Sequence, residues 1–88
     1  MCYAIRIKRQ AKNKLKSLSS NERVRITDEI DKLAVNPDDP TLDVKPMAGG
    51  EPDLYRLRVG SWRIIFFRFD SIRIISIEKI GPRGDVYK

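Results

Sequence analysis

The stretch "LYRLRVGSWRIIFFRF", residues 54–69, consists of two runs of alternating side chains joined by a Gly-Ser dipeptide. Alternation of this kind is typical of β-strands, and a two-residue connection containing glycine predicts a tight hairpin. The turn determines the register, so Arg58 should lie directly opposite Arg63. The other predicted cross-strand pairs are Val59 with Trp62, Leu57 with Ile64, and Tyr55 with Phe66.

Opposed residues share a face of a sheet, so Arg56, Arg58 and Arg63 are predicted to lie together on one face. The apolar side chains of the hairpin, with Trp62 among them, form the other face, which we expect helices to cover. Like charges in direct opposition destabilise a sheet, and violations of good strand design are expected at functional sites. The pattern therefore favours an anion-binding site. The alternative is a solvated basic face. In that case Glu78 could pair with Arg63 and relieve the repulsion between the arginines, if residues 70 and 71 formed a second two-residue turn.

The chain before this hairpin predicts a strand and two helices. Residues 3–8 alternate as a strand does, and residues 9–18 place apolar side chains at helical spacing. Ser19 with Glu22 three residues later forms a capping box that opens a second helix. That helix should end before Pro37. The helices are joined so closely that they should form an antiparallel hairpin.

Residues 36–53 contain four prolines and a Gly-Gly pair, and they predict a long loop. After the hairpin, a further strand is expected from Ile72 to about Ile80. The fold class is therefore α+β: an N-terminal strand, a two-helix antiparallel hairpin and a three-strand antiparallel meander, with the helices packed on one face of the sheet. We expect one domain over residues 1–88, because this length supports a single core.

Composition limits the chemistry. The net charge is +6, and basic segments at residues 1–35 and 54–88 flank the acidic segment 36–53. This distribution suggests a polyanionic partner, although basic surfaces are often only solvated. The chain has one cysteine and no histidine, so we expect no disulfide and no metal site, and catalysis would have to use Arg, Lys, Tyr or carboxylates. The absence of a long apolar run and of a signal-peptide pattern favours a cytoplasmic protein that does not enter membranes.

Two further groups of residues stand out. Arg83 and Tyr87 lie within the last six residues, "RGDVYK", where each alone would be interpreted as a surface or packing residue. The side chains of Phe67, Phe69, Ile72 and Ile74 are predicted to add apolar surface to the arginine-bearing face. An apolar patch of this size usually marks an interaction site.

"LYRLRVGSWRIIF", followed by a strand and then "KIGPRGDVY", resembles the bacterial RelE/ParE toxin superfamily of type II toxin–antitoxin systems, over essentially the whole chain. For the RelE branch the resemblance implies cleavage of messenger RNA in the ribosomal A site, by attack of a 2′-hydroxyl on the adjacent phosphate, without metal or cofactor. The implied catalytic residues, by position, are Arg56, Arg58, Arg63, Arg83 and Tyr87. The implied RNA-binding residues are Lys45 and Lys79.

The resemblance also assigns roles and partners. The arginines of the hairpin would hold the phosphate, Arg83 would stabilise charge or protonate the leaving oxygen, and Tyr87 would orient or deprotonate the 2′-hydroxyl. Because arginine cannot act as a base, that role would fall to Tyr87 or a carboxylate such as Asp85. The implied partners are the ribosome, messenger RNA and a cognate antitoxin that covers the apolar patch. The alternatives are a ParE-like, non-enzymatic inhibitor of DNA gyrase, or an inert homologue that only binds its antitoxin.

Overall fold

The computed structural model describes residues 2–47 and 51–82, which form a five-stranded sheet and two helices. In chain order the elements are β1 (Ala4–Ile7), α1 (Arg9–Ser17), α2 (Ser20–Val35), β2 (Asp43–Pro46), β3 (Leu54–Val59), β4 (Trp62–Phe69) and β5 (Ile74–Pro82). The strand order is β1-β5-β4-β3-β2, with β1 parallel to β5 and the other neighbours antiparallel. The predicted α+β architecture is confirmed. Neither described helix is long and apolar enough to span a membrane.

The start of α2 follows the capping box. The Ser19 hydroxyl oxygen accepts a hydrogen bond from the Glu22 backbone N–H at 3.3 Å, and the hydroxyl donates to the Glu22 carboxylate at 3.1 Å. The first bond satisfies one of the backbone N–H groups that a helix start otherwise leaves without partners, and the second joins the two side chains. They place the beginning of α2 directly after α1, as predicted.

The helices cover one face of the sheet. Helix α1 contributes Ala11 to the core, and α2 contributes Ile26, Ile30 and Leu33. The strands contribute Leu57, Val59, Ile64, Phe66, Ile75, Ile77 and Ile80. Each of these sheet residues shares a face with its cross-strand partner, and the strand residues that alternate with them point to the opposite face. The predicted register of the hairpin is confirmed at every pair, with Arg58 opposite Arg63.

The prediction of a structureless loop over residues 36–53 was wrong at four residues. Residues 43–46 form β2, which pairs antiparallel with β3 and is an edge strand of the sheet. Leu42 is buried and Val44 is half-buried, a short alternation that the surrounding prolines conceal. Pro46 is tolerated here because an edge strand has one side without ladder hydrogen bonds.

The turn before β5 is longer than predicted. Phe69 pairs with Ile74, so four residues rather than two connect the strands. Arg73, the last of these, has φ of 56°, in the left-handed region that closes turns. Strand β5 therefore begins at Ile74 rather than at Ile72, and Ile72 lies exposed in the turn.

The predicted pairing of Glu78 with Arg63 was also wrong. A register shift between β4 and β5 leaves Glu78 as an extra residue, and Gly81 lies opposite Arg63 instead. The Glu78 carboxylate accepts a hydrogen bond from the Ser76 hydroxyl at 2.8 Å and lies 3.9 Å from the Lys8 ammonium nitrogen. A bulge of this kind redirects one side chain away from the ladder, so Glu78 does not offset the opposed arginines.

Candidate functional site

The sheet face that points away from α1 and α2 carries a cluster of cations, and we call it the arginine face. It receives alternate residues from β2, β3, β4 and β5. The cations that these strands place there are Lys45, Arg56, Arg58, Arg63 and Lys79. Asp43 is the only carboxylate that β2, β3 and β4 place on the same face, and on β5 Glu78 accepts a hydrogen bond from Ser76, which lies opposite Phe67. The local charge balance is therefore strongly positive.

Arg58 and Arg63 form the centre of this cluster. They are direct cross-strand partners, so their Cα atoms are about 4.5–5.5 Å apart. Arg58 is exposed, whereas Arg63 is only 7% exposed. The two guanidinium groups therefore occupy different environments although their backbones are neighbours.

The Arg63 side chain is not satisfied by the residues that the structure describes. Its Nε and Nη1 atoms are buried and have no hydrogen-bond partner among residues 2–47 and 51–82. Arginine remains protonated inside proteins, so this group cannot avoid the cost of burial by losing its charge. Leaving a buried charged donor without a partner costs more than the roughly 1–3 kcal/mol of a neutral group. An anion bound at Arg63 would remove that cost.

Arg56 has one partner within the described protein. Its Nη2 donates to the Oδ1 atom of Asp43 at 3.2 Å, and its side chain is 12% exposed. Asp43 lies opposite Arg58 in the register, so one carboxylate lies beside two arginines. Its own side chain is 46% exposed. Among the described residues, this single, long contact to a half-exposed carboxylate is the only ion pair of Arg56.

The two lysines predicted as RNA contacts flank the arginines. Lys45 on β2 lies directly opposite Arg56. Lys79 on β5 lies opposite Ile65, which is two residues after Arg63 on the same face of β4. Both lysines are exposed. The structure thus brings together five of the seven predicted site residues on one face. The other two, Arg83 and Tyr87, lie outside the described residues, as does Asp85.

Arg68, the fourth arginine of the hairpin, belongs to a different cluster. It alternates onto the helix-covered side of β4, where it donates two hydrogen bonds to Asp38 at 2.8 and 2.9 Å and one to Asp70 at 2.7 Å. These hydrogen bonds lower the pKa of both carboxyl groups and raise the pKa of Arg68. Arg68 thereby attaches the segment after α2 to the sheet and is fully engaged there.

The far end of the arginine face is apolar. Phe67 and Phe69 stack with ring centroids 5.6 Å apart, and Ile74 lies opposite Phe69. Phe69 is 37% exposed. The predicted apolar patch is therefore present at these three residues, and Ile72 lies exposed in the turn before β5.

Trp62 lies on the helix-covered side, as its alternation predicts. It is half-buried against the core, and its Nε1 donates to the Glu22 carboxylate at 2.6 Å. The ammonium group of Lys14 lies 5.6 Å from the ring centroid. Trp62 thus links α1 and α2 to the hairpin and does not face the cations of the arginine face.

Asp43 is the member of the site that sequence reasoning did not identify, because its strand was predicted as loop. The available signal was the alternation of Leu42 and Val44 on either side of it. Among the described residues no three His, Cys, Asp or Glu side chains form a group suited to a metal ion.

Comparison with known proteins agrees with this architecture. The family model described as ParE toxin of type II toxin-antitoxin system, parDE, matches residues 5–87. A relative from Methanocaldococcus jannaschii with the provisional name toxin RelE1 is 29% identical over 89 residues, covering 100% of this chain and 98% of the relative.

Solved structures share the fold. A chain of the archaeal RelE–RelB complex from Pyrococcus horikoshii has a TM-score of 0.82 and 32% identity, covering 97% of this chain and 99% of that chain. A chain of the RelBE2 toxin–antitoxin complex from Mycobacterium tuberculosis has a TM-score of 0.79 and 18% identity, covering 94% and 100%. At the lower identity the likeness concerns the fold alone.

The fold and the site define a small α+β protein with a strongly basic face on the open side of its sheet. With a family match over nearly its whole length, the chain belongs to the ParE toxin family of type II toxin–antitoxin systems, within the RelE/ParE superfamily.

Proposed function

We propose that this toxin is a ribosome-dependent endoribonuclease and that the arginine face holds the phosphate at which messenger RNA is cleaved. The observation that carries the proposal is the buried Arg63 guanidinium, whose Nε and Nη1 have no partner among the described residues. A phosphate oxygen matches such donors in charge and geometry, and guanidinium groups bind phosphate bidentately. The proposal takes residues 1–88 as one toxin domain.

The proposed reaction is transfer of the phosphoryl group within the RNA backbone. A 2′-hydroxyl loses its proton, its oxygen bonds to the adjacent phosphorus, and the bond from phosphorus to the 5′-oxygen breaks. The products are a 2′,3′-cyclic phosphate and a 5′-hydroxyl, which receives a proton. Negative charge grows on the non-bridging oxygens, and fixed cations that need not reorganise stabilise that charge.

Each site residue receives a role in this proposal. Arg56, Arg58 and Arg63 would neutralise the phosphate, and Arg83 would stabilise the charge or protonate the 5′-oxygen. Tyr87 would orient or deprotonate the 2′-hydroxyl. The roles of the last two rest on the superfamily resemblance of "GPRGDVY". Because the nucleophile belongs to the substrate and the cations are side chains, the scheme requires no metal or cofactor.

Lys45 and Lys79 would contact neighbouring phosphates of the RNA. They lie on either side of the arginines, across the width of the sheet, so a strand of RNA that crosses the sheet would meet a lysine before and after the scissile phosphate. Such contacts add affinity without sequence preference and make it salt-dependent. The ribosome, itself polyanionic, would add docking contacts to the basic surface.

We also propose that a cognate antitoxin binds this protein, in a cytoplasmic complex. The solved structures of similar fold include toxin–antitoxin complexes. The patch of Phe67, Phe69 and Ile74 provides apolar surface beside the cations, which suits a partner segment with apolar and acidic side chains. Coverage of this patch would exclude RNA from the same face.

The test is inducible expression of the toxin followed by primer-extension mapping of 5′ ends on a reporter messenger, with and without a start codon. We expect cuts within the reading frame that disappear when translation is prevented. Cuts that persist without translation would contradict ribosome dependence. Growth arrest with intact messenger would contradict the nuclease proposal.

A second candidate function is non-enzymatic inhibition of DNA gyrase, because the family model that matches the chain is that of ParE toxins. In that case the arginine face would be a docking surface for protein. Expression would then induce a DNA-damage response, leave messengers intact, and be insensitive to Arg83→Ala and Tyr87→Phe. An inert homologue would cause no growth arrest.

A further inference from the structure

Asp43 is placed where an anion should bind. It is the only carboxylate that β2, β3 and β4 contribute to the arginine face, and it lies opposite Arg58 in the register. Its Oδ1 accepts a hydrogen bond from Arg56 Nη2. A carboxylate offers the same kind of oxygen acceptor to a guanidinium that a phosphate does.

The contact between Asp43 and Arg56 is weak by the standards of such pairs. At 3.2 Å it is longer than the roughly 2.7–2.9 Å of a good charge-assisted hydrogen bond, and it uses one nitrogen rather than two. The Asp43 side chain is 46% exposed, so water screens the pair. Arg68 binds Asp38, whose side chain is 72% exposed, through two hydrogen bonds of 2.8 and 2.9 Å, so the two pairs differ in the length and number of their hydrogen bonds rather than in exposure. An entering anion can therefore displace Asp43 from Arg56 at little cost.

We propose that Asp43 is an internal counter-ion that occupies Arg56 in the unbound protein and competes with RNA phosphate for it, which weakens the binding of free RNA. The proposal rests on the proposed function for the identity of the anion. In the unbound state the carboxylate offsets repulsion among the arginines. In the bound state it repels the phosphate and must release Arg56.

The consequence is a lower occupancy of the site by free RNA. A single strand of RNA in solution offers only local phosphate contacts, so the loss caused by one nearby carboxylate is a large part of its affinity. A ribosome-bound messenger is presented with many additional contacts to the toxin, so its tighter complex stays occupied after the same loss of affinity. Asp43 thus lowers the occupancy of the site by free polyanions at a given concentration, while the ratio of the two affinities stays the same.

The experiment measures binding of a short single-stranded RNA with 2′-O-methyl riboses, which cannot be cleaved, by fluorescence anisotropy at several salt concentrations. We expect Asp43→Asn to bind about three- to tenfold more tightly than the wild type, as removal of one negative charge a few Å from a phosphate predicts. The slope of log K against log salt should become steeper by about 0.7, the equivalent of one phosphate contact.

Three further variants isolate the mechanism. Asp31→Asn removes the same charge from an exposed position on α2 and should change the dissociation constant by less than about twofold, because screening limits distant charges. Asp43→Glu keeps a carboxylate and should bind RNA as the wild type does. In an Arg56→Gln background, Asp43→Asn should gain no more than Asp31→Asn does, since the competition is for Arg56.

Unchanged or weaker RNA binding by Asp43→Asn would overturn the proposal, as would an equal gain in the Arg56→Gln background. Circular dichroism verifies the fold of each variant, and Asp43→Ser replaces Asp43→Asn if the latter does not fold. Loss of cleavage by Asp43→Asn with unchanged RNA affinity would identify Asp43 as a base and would also overturn the proposal. Because the probe cannot be cleaved, failure of the nuclease proposal leaves this test intact.

Discussion

Arg58 and Arg63 are direct partners across β3 and β4, yet Arg58 is exposed while Arg63 is only 7% exposed. Water screens the charge of Arg58, whereas two donor atoms of Arg63 have no partner among the described residues. The unfavourable free energy of placing these two charges opposite each other therefore arises mainly at the buried Arg63. Sites that bind charged ligands commonly carry such a cost in the unbound state.

Arg63→Met should stabilise the protein while it abolishes cleavage. An apolar side chain of similar length removes the unsatisfied charge, and we expect a gain of about 1 kcal/mol in the free energy of unfolding. That gain corresponds to a melting temperature higher by about 4–8 °C in a domain of this size. Cleavage should fall by about 10²–10³-fold. Thermal unfolding and the primer-extension assay measure the two effects.

The matched control is Arg58→Met, which removes an exposed arginine from the same cross-strand pair. Its unfolding free energy should change by less than about 0.5 kcal/mol, as is usual for surface substitutions. A melting temperature that falls in Arg63→Met would mean that Arg63 has a stabilising partner in the unbound protein beyond residues 2–47 and 51–82.

Arg83→Ala and Tyr87→Phe should each relieve growth arrest. Loss of a charge-stabilising group should lower the cleavage rate by about 10²–10³-fold, and loss of a proton-transfer group by about 10²–10⁴-fold. Both variants should still co-purify with the antitoxin, which shows that the fold is retained. If both remain fully toxic, the nuclease assignment of these residues fails.

Trp62→Leu should reduce stability without affecting RNA. The substitution removes the 2.6 Å hydrogen bond to the Glu22 carboxylate, and a hydrogen bond to a charged group contributes about 1.5–3 kcal/mol. The melting temperature should fall accordingly, and Glu22→Gln should reproduce part of that fall. RNA affinity should stay within about twofold of the wild type, because Trp62 lies on the helix-covered side. If Trp62 stacked on a base, its loss would instead weaken RNA binding by about 1–3 kcal/mol. A large loss of RNA affinity would place Trp62 at the RNA interface.

The cluster of Arg68, Asp38 and Asp70 should make stability sensitive to acid. Hydrogen bonds from Arg68 hold the pKa of both carboxyl groups below the unfolded value of about 3.9. Their stabilising contribution is therefore fully present above that unfolded pKa and is lost as the pH falls through the folded pKa values. The wild-type melting temperature should drop below about pH 4, and the drop should be smaller in Arg68→Met.

Lys12→Met is the control for this pH series, because it removes one cation from an exposed position on α1. Its melting temperature should follow the wild-type dependence on pH. Equal acid sensitivity in Arg68→Met and the wild type would mean that other carboxyl groups determine the loss of stability.

Phe69→Ser should weaken antitoxin binding and leave cleavage intact. Phe69 is 37% exposed and stacks on Phe67 in the apolar patch, so a partner that covers the patch would bury both rings. We expect at least about a tenfold increase in the dissociation constant, which corresponds to 1.4 kcal/mol. Val24→Ser, at an exposed position on α2, is the control and should not affect binding. Unchanged antitoxin affinity in Phe69→Ser would exclude the patch as the binding surface.

The amino-acid sequence by itself determined the local features of this protein. The register of β3 and β4 follows from a two-residue turn, and the start of α2 follows from a capping box at Ser19 and Glu22. Both depend on residues that are close along the chain, so short-range sterics and hydrogen bonding are sufficient to specify them. The shared face of Arg56, Arg58 and Arg63 is a direct consequence of that register.

Only the tertiary structure decided the features that depend on distant pairing. Strand β2 exists because β3 offers it a free edge, and the bulge at Glu78 depends on how β5 lies between β1 and β4. The burial of Arg63 likewise reflects what surrounds it, which alternation along one strand does not specify. Asp43 lies on the arginine face for the same reason, because its position depends on the pairing of β2 with β3. The alternation along a strand indicates which of its side chains share a face. The neighbouring strands determine which charged side chains come together on that face and which of them become buried.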